Sequence, residues 1–251
     1  LASYDCVVVD EAQEFAPIEL ALLRRAVKPG GTFIVAGDAA QQVDPTASFP
    51  GWDAVMAELG APDAERMILE VNYRCPPDVT ALARSVLDPA GPLSFDAPSI
   101  TAAAHEHLFH QSVWLTEALQ QIAREDPSAS ITVIARSPEA ARVHARTLRH
   151  GTAARLALDG AFEFRPGLTI TCVPEVKGLE FDYVIVPDAN ASAYPALEEA
   201  RRALYVAVTR ATHRLVLATS GSWSPLLHGR DANRPCPPAP GGWPPDPPPL
   251  R

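Results

Sequence analysis

Short apolar runs rich in β-branched residues recur along this chain with helical stretches between them, and that alternation is what most constrains the fold. The runs are CVVVD (6–10), TFIVAGD (32–38), RMILEV (66–71), ITVIAR (131–136), LTITC (168–172), YVIVPDA (183–189) and RLVLATS (214–220). Helical patterns are expected over 17–26, 52–59, 77–87, 113–125 and 138–150, the fourth marked by Leu115, Leu119 and Ile122 at helical spacing. Strands alternating with helices indicate βαβ units and parallel sheets. In the first run Val7, Val8 and Val9 are uninterrupted by polar residues, which suits a central strand covered on both faces. Composition agrees with a globular α/β protein, being 47% hydrophobic and 20% charged over 251 residues.

Several classes of protein are disfavoured. The net charge of −9 excludes a protein coated in positive potential, so any nucleic-acid contact has to be local. No apolar run is long enough for a membrane span. Cys6, Cys75, Cys172 and Cys236 are far apart and form no C-x-x-C pair, which fits a reducing compartment and a cytoplasmic location. From Arg234 onward the sequence RPCPPAPGGWPPDPPPLR is too rich in Pro and Gly to pack, and a disordered or polyproline tail is expected.

The first run ends in two adjacent acids, Asp10 and Glu11, and parallel sheets bind ligands at the carboxyl ends of their strands. Two readings of Asp10 stand side by side: a residue at the ligand rim, or a cap for the following helix. Lysine occurs only at Lys28 and Lys177, neither in a G-K-[ST] string, so a phosphate-cradling loop is absent from these residues. The chain starts at Leu1 a few residues before a strand, and it is read as a piece of something longer that supplies the missing N-terminal half of the first domain.

Five segments follow one another in order: VVVDEAQEF (7–15), VAGDAAQQ (35–42), LEVNYRC (69–75), EVKGLEFDYVIV (175–186) and EEARRALYVAVTRA (198–211). In kind, order and spacing they resemble motifs two to six of superfamily 1 helicases of the UvrD/Rep type. D-E-x-Q alone is a weak signal; N-Y-R, K-G-L-E-F-D and Y-V-A-V-T-R-A together are specific. The resemblance implies a RecA-like P-loop NTPase fold with parallel sheets. It places the C-terminal part of a first RecA-like domain at 1–65, a complete second RecA-like domain at 66–222 and a Pro-rich tail at 223–251.

It also implies ATP and Mg²⁺, and roles for single residues. Asp10 would hold Mg²⁺ through water, and Glu11 would orient and deprotonate the attacking water. Gln41 would sense the γ-phosphate. Tyr73 would stack on the adenine and Arg74 grip a phosphate. Lys177, Gly178 and Glu180 match the next motif, with Glu180 on the ribose. Arg210 matches the arginine finger, which reaches from the second unit to the γ-phosphate held by the first.

The family pattern is not matched throughout. Its T-x-H would fall on Cys172 and Pro174, so those polar residues are absent. The aromatic that follows the Gln41 motif is out of register, leaving Phe49 and Trp52 either as base-stacking candidates or as core. Arg142, Arg146 and Arg149 recur on one helix face, with Arg155 beyond, as a track for phosphates or a solvated face. Arg201 and Arg202 read as a solvated helix face. His105, His107 and His110 lack the cysteine or carboxylate that would close a metal site.

Between Arg74 and Lys177 there is no room for the large domain that typical UvrD helicases insert, and GDAAQ...GWDAVMAEL, LEVNYRCPPDV and VPEVKGLEFD are similar to HelD-type proteins, relatives that act on RNA polymerase. Three functions follow. One is a motor on single-stranded or partly duplex DNA, with the isolated chain inactive; one is an ATPase whose partner is RNA polymerase; one is a non-catalytic module without a phosphate loop.

Overall fold

The computed structural model describes residues 3–42, 49–69, 72–88, 97–148, 152–163 and 165–227. The chain divides into two compact units, Leu1–Val71 and Asn72–Arg251.

In the first unit β1 (Tyr4–Val9) pairs in parallel with β2 (Val27–Val35), in a register that sets Val7 against Phe33 and Val9 against Val35. Helix α1 (Pro17–Arg24) connects them, and α2 (Trp52–Glu58) follows. Pro17 begins α1 where its missing N–H costs nothing, and the Glu19 carboxylate accepts the Ala16 N–H at 2.8 Å, closing the first turn. The core of this unit is Val9, Ala12, Leu20, Val55, Met56 and Leu59. β1 is not covered on both faces, contrary to the expectation from its continuous valines: Val8 is 63% and its partner Ile34 47% exposed. Both helices of the unit serve the face of Val9, and among the described residues nothing covers the other.

RMILEV forms no strand over its described residues 66–69; Met67, Ile68 and Leu69 are exposed and irregular. A strand exists only through a partner ladder, and none is offered to this segment.

The second unit is a six-stranded parallel sheet in the order β3-β8-β7-β4-β6-β5, made of β3 (Ile100–His105), β4 (Ser130–Ala135), β5 (Arg155–Leu156), β6 (Gly167–Cys172), β7 (Phe181–Val186) and β8 (Ala211–Ser220). Its helices are α3 (Pro77–Leu87), α4 (Leu108–Glu125), α5 (Pro138–Leu148) and α6 (Glu198–Val208). On one face Trp114, Leu115, Leu119 and Ile122 of α4 and Ala141 and Leu148 of α5 meet Ile131, Val133, Ile170, Ile185 and Val216 of the sheet. Each large apolar side chain among them contributes about 1.5–3 kcal/mol by leaving water. Helices α3 and α6 pack on each other and against β8 and β7, outside that cluster.

β3 is a strand that the apolar pattern does not announce. Its core is three alanines, weak strand formers, and pairing with β8 together with burial under α4 decides its state. Residues 223–227, expected to open the tail, are packed instead: Trp223, Ser224, Leu226 and Leu227 are buried, and Asn190 bridges Trp223. The Pro-rich residues from 228 on, like Arg149, lie outside the described residues. Among the described residues no helix is long and apolar enough to cross a membrane, and Cys6, Cys75 and Cys172 are free thiols.

Candidate functional site

In the first unit the chemistry gathers at the carboxyl ends of β1 and β2. Glu11, which follows β1 and leads into the turn at Ala12–Glu14, sits in the left-handed region at φ 51°. Asp10 Oδ1 accepts the Glu11 N–H at 2.8 Å, and the Ala12 N–H donates to Ala36 O at 2.9 Å, so the turn is tied to the neighbouring strand. Asp10 therefore supports the turn and does not cap a helix turn three residues on. Its Oδ2 accepts no hydrogen bond from the described residues. Gln13, to which motif spacing assigns no role, is buried; its Nε2 donates to Glu11 Oε2 at 2.6 Å and its Oε1 accepts the Asp38 N–H at 3.0 Å. Asp38 in turn accepts from Ala40 N at 2.9 Å and from Gln41 Nε2 at 3.0 Å. The structure thus brings Asp10, Glu11 and Gln41 to one rim. Phe49 and Trp52 stand edge to face, 5.0 Å between centroids, packed against the core of this unit.

In the second unit the expected residues converge on the opposite kind of edge, the amino ends of β7 and β8. Arg74 Nε pairs with Glu180 Oε2 at 2.7 Å across a long sequence separation. Asn72 Oδ1 accepts the N–H groups of Arg74 and Cys75 at 2.9 and 3.1 Å, fixing the bend that leads into α3. Cys75 Sγ donates to Thr209 O at 3.1 Å and so clasps the Arg74 loop to the turn before β8; burial holds this thiol above its usual range. Tyr73, 85% exposed, presents its ring to solvent. Gly178 takes φ 69° in the turn that sets Glu180 at the start of β7.

Arg210 is placed differently from an outstretched finger. It is only 1% exposed, with Nε donating to Val206 O at 3.1 Å, Nη1 to Leu179 O at 3.2 Å and Nη2 to Thr209 Oγ1 at 3.3 Å. A cation on the last carbonyls of α6 suits the negative end of the helix. Arg142 and Arg146 lie on the exposed side of α5, Arg142 at 3.8 Å from Glu139. The rings of His107 and His110 lie tilted, 5.8 Å between centroids, His105 leans on Trp114, and no group of three potential metal ligands forms among the described residues. Asn72, Cys75 and Gln13 escape a reading of the sequence because each acts on the backbone or on another side chain, a role with no spacing of its own; only the Gln of D-E-x-Q carries a hint.

Residues 168–218, from β6 into β8 and including Lys177, Gly178, Glu180 and Arg210, match the model of the UvrD-like helicase C-terminal domain. The chain is similar to the crystal structure of the C-terminal domain of a possible DNA helicase from Lactobacillus plantarum WCFS1, with a TM-score of 0.53 and 26% identity over 63% of this chain and 93% of that one. No curated protein sequence matches the chain.

Proposed function

We propose that the chain is the C-terminal part of an ATP-dependent motor on single-stranded DNA, its first unit the end of one RecA-like domain and its second unit a complete RecA-like domain. The observation that carries this reading is the convergence of Arg74, Glu180 and the Thr209-Arg210 turn on one edge of the second unit, within and beside the segment similar to helicase C-terminal domains.

In this reading the exposed ring of Tyr73 offers a face to adenine, Arg74 exchanges Glu180 for a phosphate, and the freed Glu180 turns to the ribose. Arg210 leaves the carbonyls of Val206 and Leu179 to neutralise charge on the transferring phosphoryl group. Glu11 takes the proton of the attacking water and Gln41 contacts the γ-phosphate. The two adjacent carboxylates fit Mg²⁺, a hard cation that needs only one or two protein ligands besides phosphate and water, and Asp10 has an oxygen to give it. Bound there, the ion would screen the phosphates. DNA contacts are assigned to the exposed side of α5, through Arg142 and Arg146. Because residues 1–251 hold no G-K-[ST] loop, turnover requires that loop from outside them.

The test is ATP hydrolysis by the full-length protein with and without single-stranded DNA, beside a Glu11→Gln control. DNA-stimulated turnover that disappears in the control supports the reading. Turnover indifferent to DNA, in a protein that co-purifies with RNA polymerase, would replace the motor by a polymerase-directed ATPase.

A further inference from the structure

We infer that Gln13 is a positioning residue that locks Glu11 to the Asp38–Gln41 loop, so that the carboxylate and the amide at the rim of the first unit move as one body. The catalytic meaning of that lock rests on the function proposed above; the hydrogen-bonded chain itself does not.

The chain has three links: Gln13 Nε2 to Glu11 Oε2, Asp38 N–H to Gln13 Oε1, and Gln41 Nε2 to Asp38 Oδ2. Its orientation is dictated by the partners. A backbone N–H can only donate, so Oε1 faces Asp38; a carboxylate accepts, so Nε2 faces Glu11. Only a primary amide of this length donates at one end and accepts at the other: glutamate has no donor when ionised, and asparagine falls a methylene short. Gln13 is buried, where an unmet donor or acceptor loses its water without a replacement partner, so the amide is held to both partners.

Two independent features show the lock to be built in. Glu11 and Asp159 are the two residues other than glycine with positive φ among the described ones, and a residue held there persists only when its surroundings over-determine it. The Gln13 hydrogen bond, the Asp10 carboxylate and the strand ties do so for Glu11. Second, Gly37 has no positive φ to explain it, yet a Cβ there would collide with Oε1 of Gln13 and approach Ala12 N to 3.0 Å. Position 37 is glycine because the Gln13 amide occupies the space of its side chain.

The first arm of the test needs no activity. In the ¹⁵N-labelled 251-residue chain, Gln13→Ala should shift the Asp38 backbone amide and the Gln41 side-chain amide, with the thermal midpoint recorded alongside. Gln13→Glu keeps the acceptor, so it should leave the Asp38 amide nearly in place. Gly37→Ala, which expels the amide without removing it, should reproduce the Gln13→Ala shifts and serves where Gln13→Ala fails to fold. A Gln41 amide unmoved in either variant overturns the lock.

The second arm is ATPase kinetics of the full-length protein. Gln13→Ala and Gly37→Ala should each lower kcat by about 10–100-fold with KM within about twofold, and the double variant should lose no more than the worse single, because both break one interaction. Additive losses, an unchanged kcat, or a rise in KM alone would overturn the positioning role. A wild-type protein that does not hydrolyse ATP would sink the proposed function and leave the lock to the first arm.

Discussion

Asp188 and His144 respond to acid in opposite senses, and both do so because they are buried in the second unit. Desolvation raises the Asp188 carboxyl to about 6, opposed by the Arg136 N–H at 2.9 Å and the Arg136 charge. Desolvation alone lowers the His144 imidazole to about 4. The Asp188 contribution is complete below the ordinary carboxylate value of 3.8 and is lost as pH rises through about 6. The His144 contribution is complete above 6.5 and is lost as pH falls through about 4. Each is worth roughly 3 kcal/mol, so between these limits they largely offset. Asp188→Asn should therefore leave a stability that falls steeply on acidification from pH 6.5 to 4, whereas His144→Leu should leave one that rises over the same interval. Denaturant unfolding followed by tryptophan fluorescence reads both.

Kinetics separate two further residues. In the full-length protein Tyr73→Ala should raise KM first, since a stacking face acts in binding. Arg210→Ala should lower kcat by about 10³ or more with little change in KM. Tyr73, Arg74, Glu180 and Arg210 are legible as a group because their strings are specific. The inward turn of the Arg210 guanidinium is not, since nothing in T-R-A says which acceptors lie nearest.

At the level of elements, α1 shows where pattern suffices and where it fails. Pro17 sets its start, and Leu20 points into the core while Ile18 and Leu22 stay exposed. Leu20→Ala should cost about 2–5 kcal/mol and Leu22→Ala within about 0.5 kcal/mol, as compared by urea midpoints. Sequence treats these leucines alike. Which one is covered depends on α2 and β1, which pack on one side only. The same limit explains residues 66–69 of RMILEV, apolar enough for a strand but without a ladder among the described residues, and β3, a strand despite its alanines. Helix α3, by contrast, runs over Pro77–Leu87 as its periodicity and initial proline require.

For the whole molecule, charge sets the clearest expectation. An acidic chain must hold a polyanion through a local patch, so Arg142→Glu with Arg146→Glu should weaken single-stranded DNA binding. The log-log salt slope should flatten by about 0.7 for each phosphate no longer neutralised, measured by fluorescence anisotropy across a salt series. Strand order carries a different consequence. Among the described strands β8 comes last in sequence, yet it lies between β3 and β7, and β3 has no other described neighbour in the sheet. On the ribosome, β3 therefore emerges about a hundred residues before the strand it must join, and its apolar surface, with that of α4, waits uncovered until that strand is made. A chain truncated after Val208 keeps helices α3 to α6 and still lacks the strand that unites the described sheet, so it should emerge as a protease-sensitive, chaperone-bound species and not as a smaller folded domain.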